Sequence, residues 1–203
     1  VLAGEEWLGG PMTTARNIRL LIDALKAGGQ PKPPQIYQHP NGQKIAQVFP
    51  TNLSDRIMFT GITAEIWMQP GQPASQGRIY REKTNGSYPE GKVSLVLGAG
   101  NVASIGPMDC LYKLFVEDEV VILKTNPVNA YLGPYIEEAF APLIRENVLF
   151  LVHGGAEQGG YLTNHDAIDS IHITGSDKTH DTIVWGGVSE QDKRKKENTP
   201  TLN

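Results

Sequence analysis

The sequence predicts an α/β protein whose second half forms a doubly wound parallel sheet. From residue 92 onward, short apolar segments alternate with longer segments in which apolar residues recur at helical spacing. The apolar segments show little polar alternation, which is typical of parallel strands buried on both faces. Parallel strands need right-handed crossovers, which place helices on both faces of the sheet. We therefore expect an α/β domain at 92–185, a helix with extra strands at 1–91, and a polar, disordered tail at 186–203.

The first predicted element is an amphipathic helix. Thr13 or Thr14 can cap it, and Gly28 with Gly29 ends it. One apolar face is formed by residues at the spacing i, i+3, i+4, i+7, namely Ile18, Leu21, Ile22 and Leu25. The proline-rich segment 31–34 that follows is expected to be an extended connector.

Three strand-like segments follow the connector, at Lys44–Phe49, Thr63–Met68 and Gly77–Arg81. The last two flank the turn-forming residues 70–73, which are Pro-Gly-Gln-Pro. This arrangement predicts a hairpin, or two long neighbouring strands, between residues 63 and 81.

The alternating half contains four predicted strands and the helices between them. The strands are Lys92–Leu97, Val120–Leu123, Val148–Val152 and Ser170–Thr174. The helices are Pro107–Val116, Leu132–Leu143, Glu157–Thr163 and a last one from Ser176 to Trp185. Ligands of such a sheet are expected at the carboxyl ends of its strands.

Composition excludes several functional classes. The chain of 203 residues is 39% hydrophobic and 20% charged, as in water-soluble globular proteins, and no apolar run is long enough to cross a bilayer. Its net charge of −4 argues against nucleic acid as a partner, although 193–196 is a basic run in the tail. The five histidines show no paired ligand spacing, so we expect no metal site. The single cysteine, Cys110, forbids an intrachain disulfide and favours a cytoplasmic location.

The end of the first strand of this domain carries a glycine motif. Residues 98–103 satisfy G-x-G-x-x-A, which before a helix suggests a dinucleotide pyrophosphate on that helix's N-terminus. An NAD-binding unit of the common type has an acidic residue at the end of the next strand, and here that residue is Lys124. A lysine can donate to ribose oxygens or to a 2′-phosphate. The motif is equally compatible with a tight strand–helix turn that binds nothing.

Two further strand ends could hold phosphate. Two glycine pairs, at 154–155 and 159–160, follow the third strand and allow either a close ligand or tight helix packing. Thr174, Gly175 and Ser176 follow the fourth strand, where hydroxyls and backbone N–H groups at a helix start can bind an anion. Ser176 can equally be a structural cap.

These strand ends together resemble the coenzyme-binding domain of the aldehyde dehydrogenase superfamily. The resemblance covers Lys92–Trp185, about half of the chain, and rests on Gly100-Asn101, on Lys124 after Val-Ile-Leu, on the pair Gly155 and Gly159, and on Ile-Thr-Gly-Ser at 173–176. The intervals of 23 positions from Asn101 to Lys124 and 15 from Gly159 to Thr174 also match that family. Residues 1–91 resemble the family's N-terminal helices and strands only loosely.

The resemblance implies roles for individual residues. Asn101 corresponds to the asparagine whose amide helps to form an oxyanion hole, and Lys124 to the lysine that contacts the adenosine ribose. The remaining cofactor-binding positions that it implies are Gly155 and Gly159 in the groove, Thr174, Gly175 and Ser176 at the pyrophosphate, and Thr179. The implied cofactor is NAD or NADP, and Pro127 stands where an acidic residue often favours NAD.

The resemblance also implies what this sequence lacks. The family's general base and catalytic cysteine come later than Asn203, and Cys110 lies on a periodic helix position typical of a buried structural thiol. We therefore expect an NAD(P)-binding part of an oxidoreductase, truncated before its catalytic domain, that cannot act on aldehyde by itself. Residue 1 is Val rather than Met, as expected of a piece of a longer chain.

Two other functions remain open at this point. The chain could be a non-catalytic nucleotide-binding or interaction module, since it contains the sheet and no nucleophile. An ordinary Rossmann dehydrogenase is opposed by Lys124 at the acidic position. We also expect a homo-oligomer, because the strands within 63–81 offer edges for pairing and a missing catalytic domain would leave apolar surface uncovered.

Overall fold

The computed structural model describes residues 2–185, so the predicted tail at 186–203 lies outside the described residues. Two compact units divide the described chain. One is Arg19–Tyr88, and the other joins the residues up to Ile18 to those from Pro89 onward. The regular elements are α1 (Ala3–Trp7), α2 (Thr13–Lys26), β1 (Gln35–Gln38), β2 (Lys44–Phe49), α3 (Leu53–Met58), β3 (Ala64–Trp67), α4 (Arg78–Thr84), β4 (Lys92–Leu97), α5 (Ile105–Tyr112), β5 (Glu119–Lys124), α6 (Gly133–Ala139), α7 (Ala141–Arg145), β6 (Leu149–Val152), α8 (Ala156–Thr163), β7 (Ser170–Ile173) and α9 (Asp177–Trp185).

The second half of the chain forms a four-stranded parallel sheet in the order β6-β5-β4-β7. Leu95 of β4 lies opposite Ile122 of β5 on one side and Ile171 of β7 on the other. From β4 the chain steps outward to β5 and β6, and then returns to the far side of β4 to form β7. The strand order therefore reverses between β4 and β7. The predicted α/β class and parallel sheet are confirmed, and this sheet is consistent with a Rossmann-like fold.

One face of the sheet is an apolar core. Val96, Val121, Leu123 and Leu149 point to this face and are at most 1% exposed. α5 packs on it so closely that a Cβ on Gly106 would lie 3.5 Å from Leu123 Cδ1. Each such buried side chain contributes about 1.5–3 kcal/mol, so this face holds the sheet together.

The same face is polar at the amino ends of the strands. Glu119 is 8% exposed, and its Oε2 lies 3.2 Å from Lys113 Nζ. That oxygen also accepts a hydrogen bond of 2.9 Å from Ser170 Oγ, which lies 3.0 Å from Ser94 Oγ. The buried carboxylate is therefore paired and hydrogen-bonded, as a buried charge must be.

The opposite face is less completely covered. α8 contacts β4 there, as a right-handed crossover from β6 to β7 requires. At the two sheet edges, Phe150 of β6 is 42% exposed and Ile171 of β7 is 36% exposed. This second face therefore supplies less core than the first.

The long helix predicted at Leu132–Leu143 is interrupted. A 3₁₀ segment at Pro127–Leu132 leads into α6, and Phe140 (φ −102°, ψ 14°) separates α6 from α7. Pro142 explains the break, because it has no N–H and its ring excludes the carbonyl four residues earlier. Phe140 is 6% exposed, so the predicted apolar periodicity still leads to burial.

The unit Arg19–Tyr88 contains an antiparallel sheet in the order β1-β2-β3. Its central strand β2 buries Ile45 and Ala46, which point to opposite faces, at 1% and 4% exposure. β1 was not predicted, since its sequence Gln-Ile-Tyr-Gln has two apolar residues with no alternation. It pairs with β2 through a turn in which Gly42 N donates to His39 O.

The predicted strand at Gly77–Arg81 is wrong, and so is the predicted hairpin with Thr63–Met68. Gly77 has a left-handed conformation (φ 63°) and precedes the helix α4. Arg78 and Glu82 pair at 3.2 Å across one turn of that helix. β3 pairs with β2 instead, with Trp67 opposite Ile45. The segment 77–81 is five residues long and buries one side chain, that of Ile79. Such a segment is too short for apolar periodicity to distinguish a helix from a strand.

The predicted helix near the N-terminus is confirmed as α2, which ends before Gly28 and Gly29. Among the described residues, every helix is too short or too polar to cross a lipid bilayer.

Candidate functional site

A cleft of about 1050 Å³ opens at the carboxyl ends of the parallel strands. Leu97 at the end of β4 and Ile173 at the end of β7 lie side by side in its apolar floor. α8 and α9 contribute residues to its walls. The cleft therefore lies where the strand order reverses, the position at which open α/β sheets bind their ligands.

All the site residues predicted from the sequence line this one cleft. They come from segments up to 78 positions apart (179 − 101), and they are Asn101, Lys124, Gly155, Gly159, Thr174, Gly175, Ser176 and Thr179. The fold therefore brings all eight together in one site.

The charge of the cleft is opposite to that of the chain. Among the described residues that line it, the charged side chains are Lys124 and Lys178, and there is no carboxylate. The chain as a whole carries a net charge of −4. A concave surface that carries two lysines and no acid attracts anions, and low-dielectric walls strengthen that field.

Lys124 is the more buried of the two cationic side chains. It ends β5, points to the same face of the sheet as Leu97 and Ile173, and is 6% exposed. Burial lowers the pKa of its ammonium below the ordinary value, because desolvation disfavours the charged form. No described residue is hydrogen-bonded to or ion-paired with this ammonium. Lys124 is thus a buried cation without a counter-ion among residues 2–185.

The glycines around the cleft serve different purposes. A Cβ on Gly155, Gly159 or Gly160 would meet nothing within 4 Å, so tight helix packing does not explain them. These three glycines keep the cleft open. Gly100 differs, because a Cβ there would lie 3.0 Å from Asn126 Nδ2.

The two threonines and the serine after β7 are partly engaged in local hydrogen bonds. Ser176 Oγ accepts from Thr179 N at 3.3 Å and lies 3.1 Å from Thr179 Oγ1. Ser176 therefore acts as a helix cap, the structural alternative expected from the sequence. Thr174 Oγ1 donates to Asp109 Oδ2 at 3.0 Å, so its hydroxyl proton is directed away from the cleft. Gly175 and the backbone N–H groups at the start of α9 are the groups of this turn that could hold an anion.

The helix after β4 does not present its N-terminus to the cleft. α5 begins at Ile105, eight residues after β4 ends at Leu97, and no residue of α5 lines the cleft. The backbone N–H of Ser104, at its start, donates to Gly9 O at 3.1 Å. The cleft therefore contains no residue of α5 for the pyrophosphate placement that G-x-G-x-x-A alone suggests. Asn101 lines the cleft from the loop instead, and is exposed.

Several lining residues were missed by the sequence analysis. The chief one is Lys178, which follows Ser176 by two positions and lines the cleft together with Thr179, Thr182 and Ile183. Lys178, Thr179, Thr182 and Ile183 form one face of α9, so helical periodicity counted from Gly175 could have found them.

Cys110 and possible metal-ligand clusters are the remaining candidate functional groups. Cys110 is 1% exposed, and burial, with a smaller contribution from Asp109, raises the pKa of its thiol. The thiol is structural, as expected. Within the described part of the chain, no group of three His, Cys, Asp or Glu side chains could hold a metal ion.

Comparison with known proteins gives no assignment: no family model, no curated protein and no solved structure matches the chain. The functional argument therefore depends on the cleft and on its residues.

Proposed function

We propose that the cleft binds a dinucleotide, NAD or NADP, and that the chain is the coenzyme-binding part of an oxidoreductase like the aldehyde dehydrogenases. In this proposal residues 92–185 are a doubly wound, Rossmann-like domain. One observation carries the proposal: in the part of the chain that the structure describes, the cleft at the strand-order reversal is lined by Lys124 and Lys178 and by no carboxylate, although the chain is acidic. A dinucleotide has the matching properties, namely phosphates for the lysines and flat rings for an apolar floor.

The residues present fit this group. Lys124, which is buried and has no counter-ion among the described residues, would donate to the ribose or to a 2′-phosphate. Gly175 and the start of α9 would face the pyrophosphate, while Gly155 and Gly159 leave room for it. When bound, the nicotinamide of such a cofactor accepts a hydride.

The role proposed for Asn101 is a different one. Its side chain makes no hydrogen bond to a described residue, and it lines the cleft from an exposed loop. In the oxidoreductase proposal its amide donates to the oxyanion of a tetrahedral adduct formed at the cleft mouth. The nucleophile that forms this adduct would come from a catalytic domain, because Cys110, the single cysteine of this sequence, is buried.

Calorimetric titration with NADP+ and then with NAD+ tests the proposal. We expect saturable binding that Lys124→Met weakens by about tenfold or more, since a hydrogen bond to a charged group contributes about 1.5–3 kcal/mol. Methionine keeps most of the buried apolar stem while removing the charge. Lys92→Met, an exposed lysine at the amino end of β4, is the matched control. Absence of binding of both cofactors, or equal weakening by the two substitutions, would contradict the proposal.

A second candidate function is a nucleotide-binding or interaction module without catalysis. The burial of Cys110 favours it, because the described residues then offer no cysteine nucleophile. The two candidates differ in what the native reading frame encodes beyond Asn203. A frame that continues with Glu-Leu-Gly and a cysteine, and a longer protein that makes NAD(P)H from aldehydes, support the oxidoreductase. A stop codon directly after Asn203 supports the module.

A further inference from the structure

Three polar side chains form a continuous hydrogen-bonded series behind the cleft, at the ends of β5 and β6. Thr125 follows β5, lines the cleft and is 4% exposed. Its Oγ1 lies 3.3 Å from Nδ1 of His153, which follows β6. The other ring nitrogen, Nε2, lies 3.2 Å from Oε1 of Glu137 on α6. A hydroxyl, an imidazole and a carboxylate are therefore in hydrogen-bonding contact in that order.

This chain of groups leads from the cleft to solvent. Thr125 is buried at its inner end, whereas the side chains of His153 and Glu137 are 46% and 48% exposed. A proton on Glu137 can therefore pass directly to water.

The imidazole occupies a defined place. A Cβ on Gly133 would lie 2.4 Å from His153 Cε1, so the ring fills the space that a side chain at position 133 would need. Gly133 is itself buried. The glycine thus permits the contact of the ring with α6 that brings Nε2 to Glu137.

The partners of the ring define its tautomer. An ionised Glu137 only accepts hydrogen bonds, so the neutral ring carries its proton on Nε2, and Nδ1 accepts from Thr125. When Nδ1 is protonated it donates to Thr125 Oγ1 instead. The Thr125 hydroxyl then has an alternative acceptor, Val152 O at 3.4 Å. The neutral ring with its proton on Nε2 and the doubly protonated ring therefore both leave Thr125, His153 and Glu137 with hydrogen-bond partners.

We propose that Thr125, His153 and Glu137 relay protons between the cleft and solvent. A bound donor gives a proton to Thr125 Oγ1 as the threonine's own proton moves to Nδ1 of His153. The Nε2 proton moves to Glu137 and then to water. Every O–H or N–H bond that breaks is replaced by one that forms, so the relay consumes no co-reactant. This inference rests on the proposed function, because transfer of a hydride to a cofactor leaves a proton to be removed.

A second threonine of the cleft provides the control. Thr174 Oγ1 donates to Asp109 Oδ2, and His172 Nε2 lies 3.4 Å from that same oxygen. Here the carboxylate stands between the hydroxyl and the imidazole, so no continuous path joins them. His172 therefore lies near a threonine of the cleft but cannot take part in this relay.

The first test needs no ligand. Nitrogen-15 NMR of the imidazoles is expected to show neutral His153 with its proton on Nε2. Thr125→Val should move the Nδ1 resonance toward that of a nitrogen without a hydrogen bond, and His172→Gln should leave it unchanged. A neutral His153 with its proton on Nδ1, or no response to Thr125→Val, would overturn the relay.

The second test uses NADP+ as the probe and follows the same imidazole resonances during its titration. A ligand that contacts Thr125 Oγ1 changes the hydrogen bond between that hydroxyl and Nδ1, so saturating NADP+ should shift the Nδ1 resonance of His153. The shift should be lost in Thr125→Val and retained in His172→Gln. An unchanged His153 resonance at saturation, or an equal shift in Thr125→Val, contradicts the relay. Absence of NADP+ binding contradicts the proposed function instead, and the first NMR result then decides the relay by itself.

Discussion

Gly100 lies against the side chain of Asn126, so that a Cβ at position 100 would be 3.0–3.1 Å from its Nδ2, Cγ and Oδ1 atoms. Asn126 cannot move freely, because its Oδ1 accepts from Val128 N at 3.0 Å and caps the 3₁₀ segment that follows β5. The two strand ends that carry Asn101 and Lys124 are therefore held together by the contact of a glycine with a capping side chain.

Gly100→Ala is expected to destabilise the protein by about 1 kcal/mol, the usual cost of losing a helix cap. The added methyl group forces Asn126 away from Val128 N. Urea unfolding measures the change in the free energy of unfolding. An alanine variant as stable as the unsubstituted protein would show that the contact does not constrain the strand ends.

Gly159→Ala is expected to have the opposite effect on stability. This residue lies inside α8, and its Cβ would meet nothing within 4 Å, so alanine should stabilise the helix by up to about 1 kcal/mol. The same methyl group would project into the open cleft, so it should weaken NADP+ binding. Unfolding and calorimetry of one variant measure both effects. Unchanged affinity would place the ligand away from α8.

Lys124→Met is expected to raise the melting temperature at neutral pH. The folded-state pKa of Lys124 lies below its unfolded value, so the folded protein bears the full desolvation cost at any pH below the lowered pKa. As pH rises from the lowered pKa to the ordinary one, the unfolded state binds more protons and the unsubstituted protein becomes more stable. The difference between the two proteins should therefore shrink in that window. Calorimetric melting between neutral and alkaline pH measures it, and a variant that melts lower at pH 7 would contradict the expectation.

Cys110 is expected to be inert to thiol reagents in the folded protein. It is 1% exposed, and burial raises the pKa of its thiol, so the reactive thiolate is scarce at pH 8. Reaction with a chromogenic disulfide should be slow in buffer and fast in denaturant. Rapid reaction without denaturant would show that the Cys110 thiol is more accessible to solvent than its burial under α5 packing implies.

Glu119→Ala is expected to cost about 3 kcal/mol or more, because it leaves Lys113 (13% side-chain exposure) without its partner. Replacement of both residues, Lys113→Met with Glu119→Leu, should recover much of the loss. Glu138→Ala, at an exposed position of α6, is the control for removal of a carboxylate. Equal urea midpoints for Glu119→Ala and Glu138→Ala would show that the buried pair contributes nothing.

Self-association is expected through the antiparallel sheet. Ile36 of β1 and Ile66 of β3 are about half exposed on either side of the buried Ala46. The outer edges of β1 and β3 have no strand partner within the described residues. Sedimentation should show dimers or larger species that Ile66→Lys weakens. Monomer alone at the highest attainable concentration would refute this.

The sequence predicted the parallel sheet well and the antiparallel sheet poorly, for a physical reason. β4 to β7 are continuous apolar segments separated by helical periodicity, so local pattern and burial agree. The segment 77–81 has a single buried residue, and only the left-handed Gly77 and the pair Arg78–Glu82 distinguish its helix. The hydrogen bonds of His153 join residues 16 and 28 positions apart, and no local pattern predicts such contacts.

The cleft itself followed from a different kind of prediction. Six of its eight expected residues were first singled out by their positions at predicted strand ends, namely Lys124, Gly155, Gly159, Thr174, Gly175 and Ser176. The resemblance supplied their roles, the role of Asn101, and the position Thr179. Lys178 was missed because the helical face that begins at Gly175 was not followed into α9. The distribution of charge inside the cleft could not be predicted, since it depends on which acidic residues face elsewhere, as Glu157 and Asp177 do.

The pairing of β7 with β4 has a consequence for the kinetics of folding. Ser94 and Ser170, opposite each other in these strands, are 76 positions apart, whereas β4, β5 and β6 follow one another at short range. Contacts of high sequence separation form late, because loop closure must precede them. A partly folded state with β4, β5 and β6 paired would contain most of the apolar core but not the cleft, whose floor needs Ile173 beside Leu97. Pulsed hydrogen exchange during refolding should therefore show that the amides of β5 become protected before those of β7. The ability to bind a ligand should be recovered only when the amides of β7 are protected.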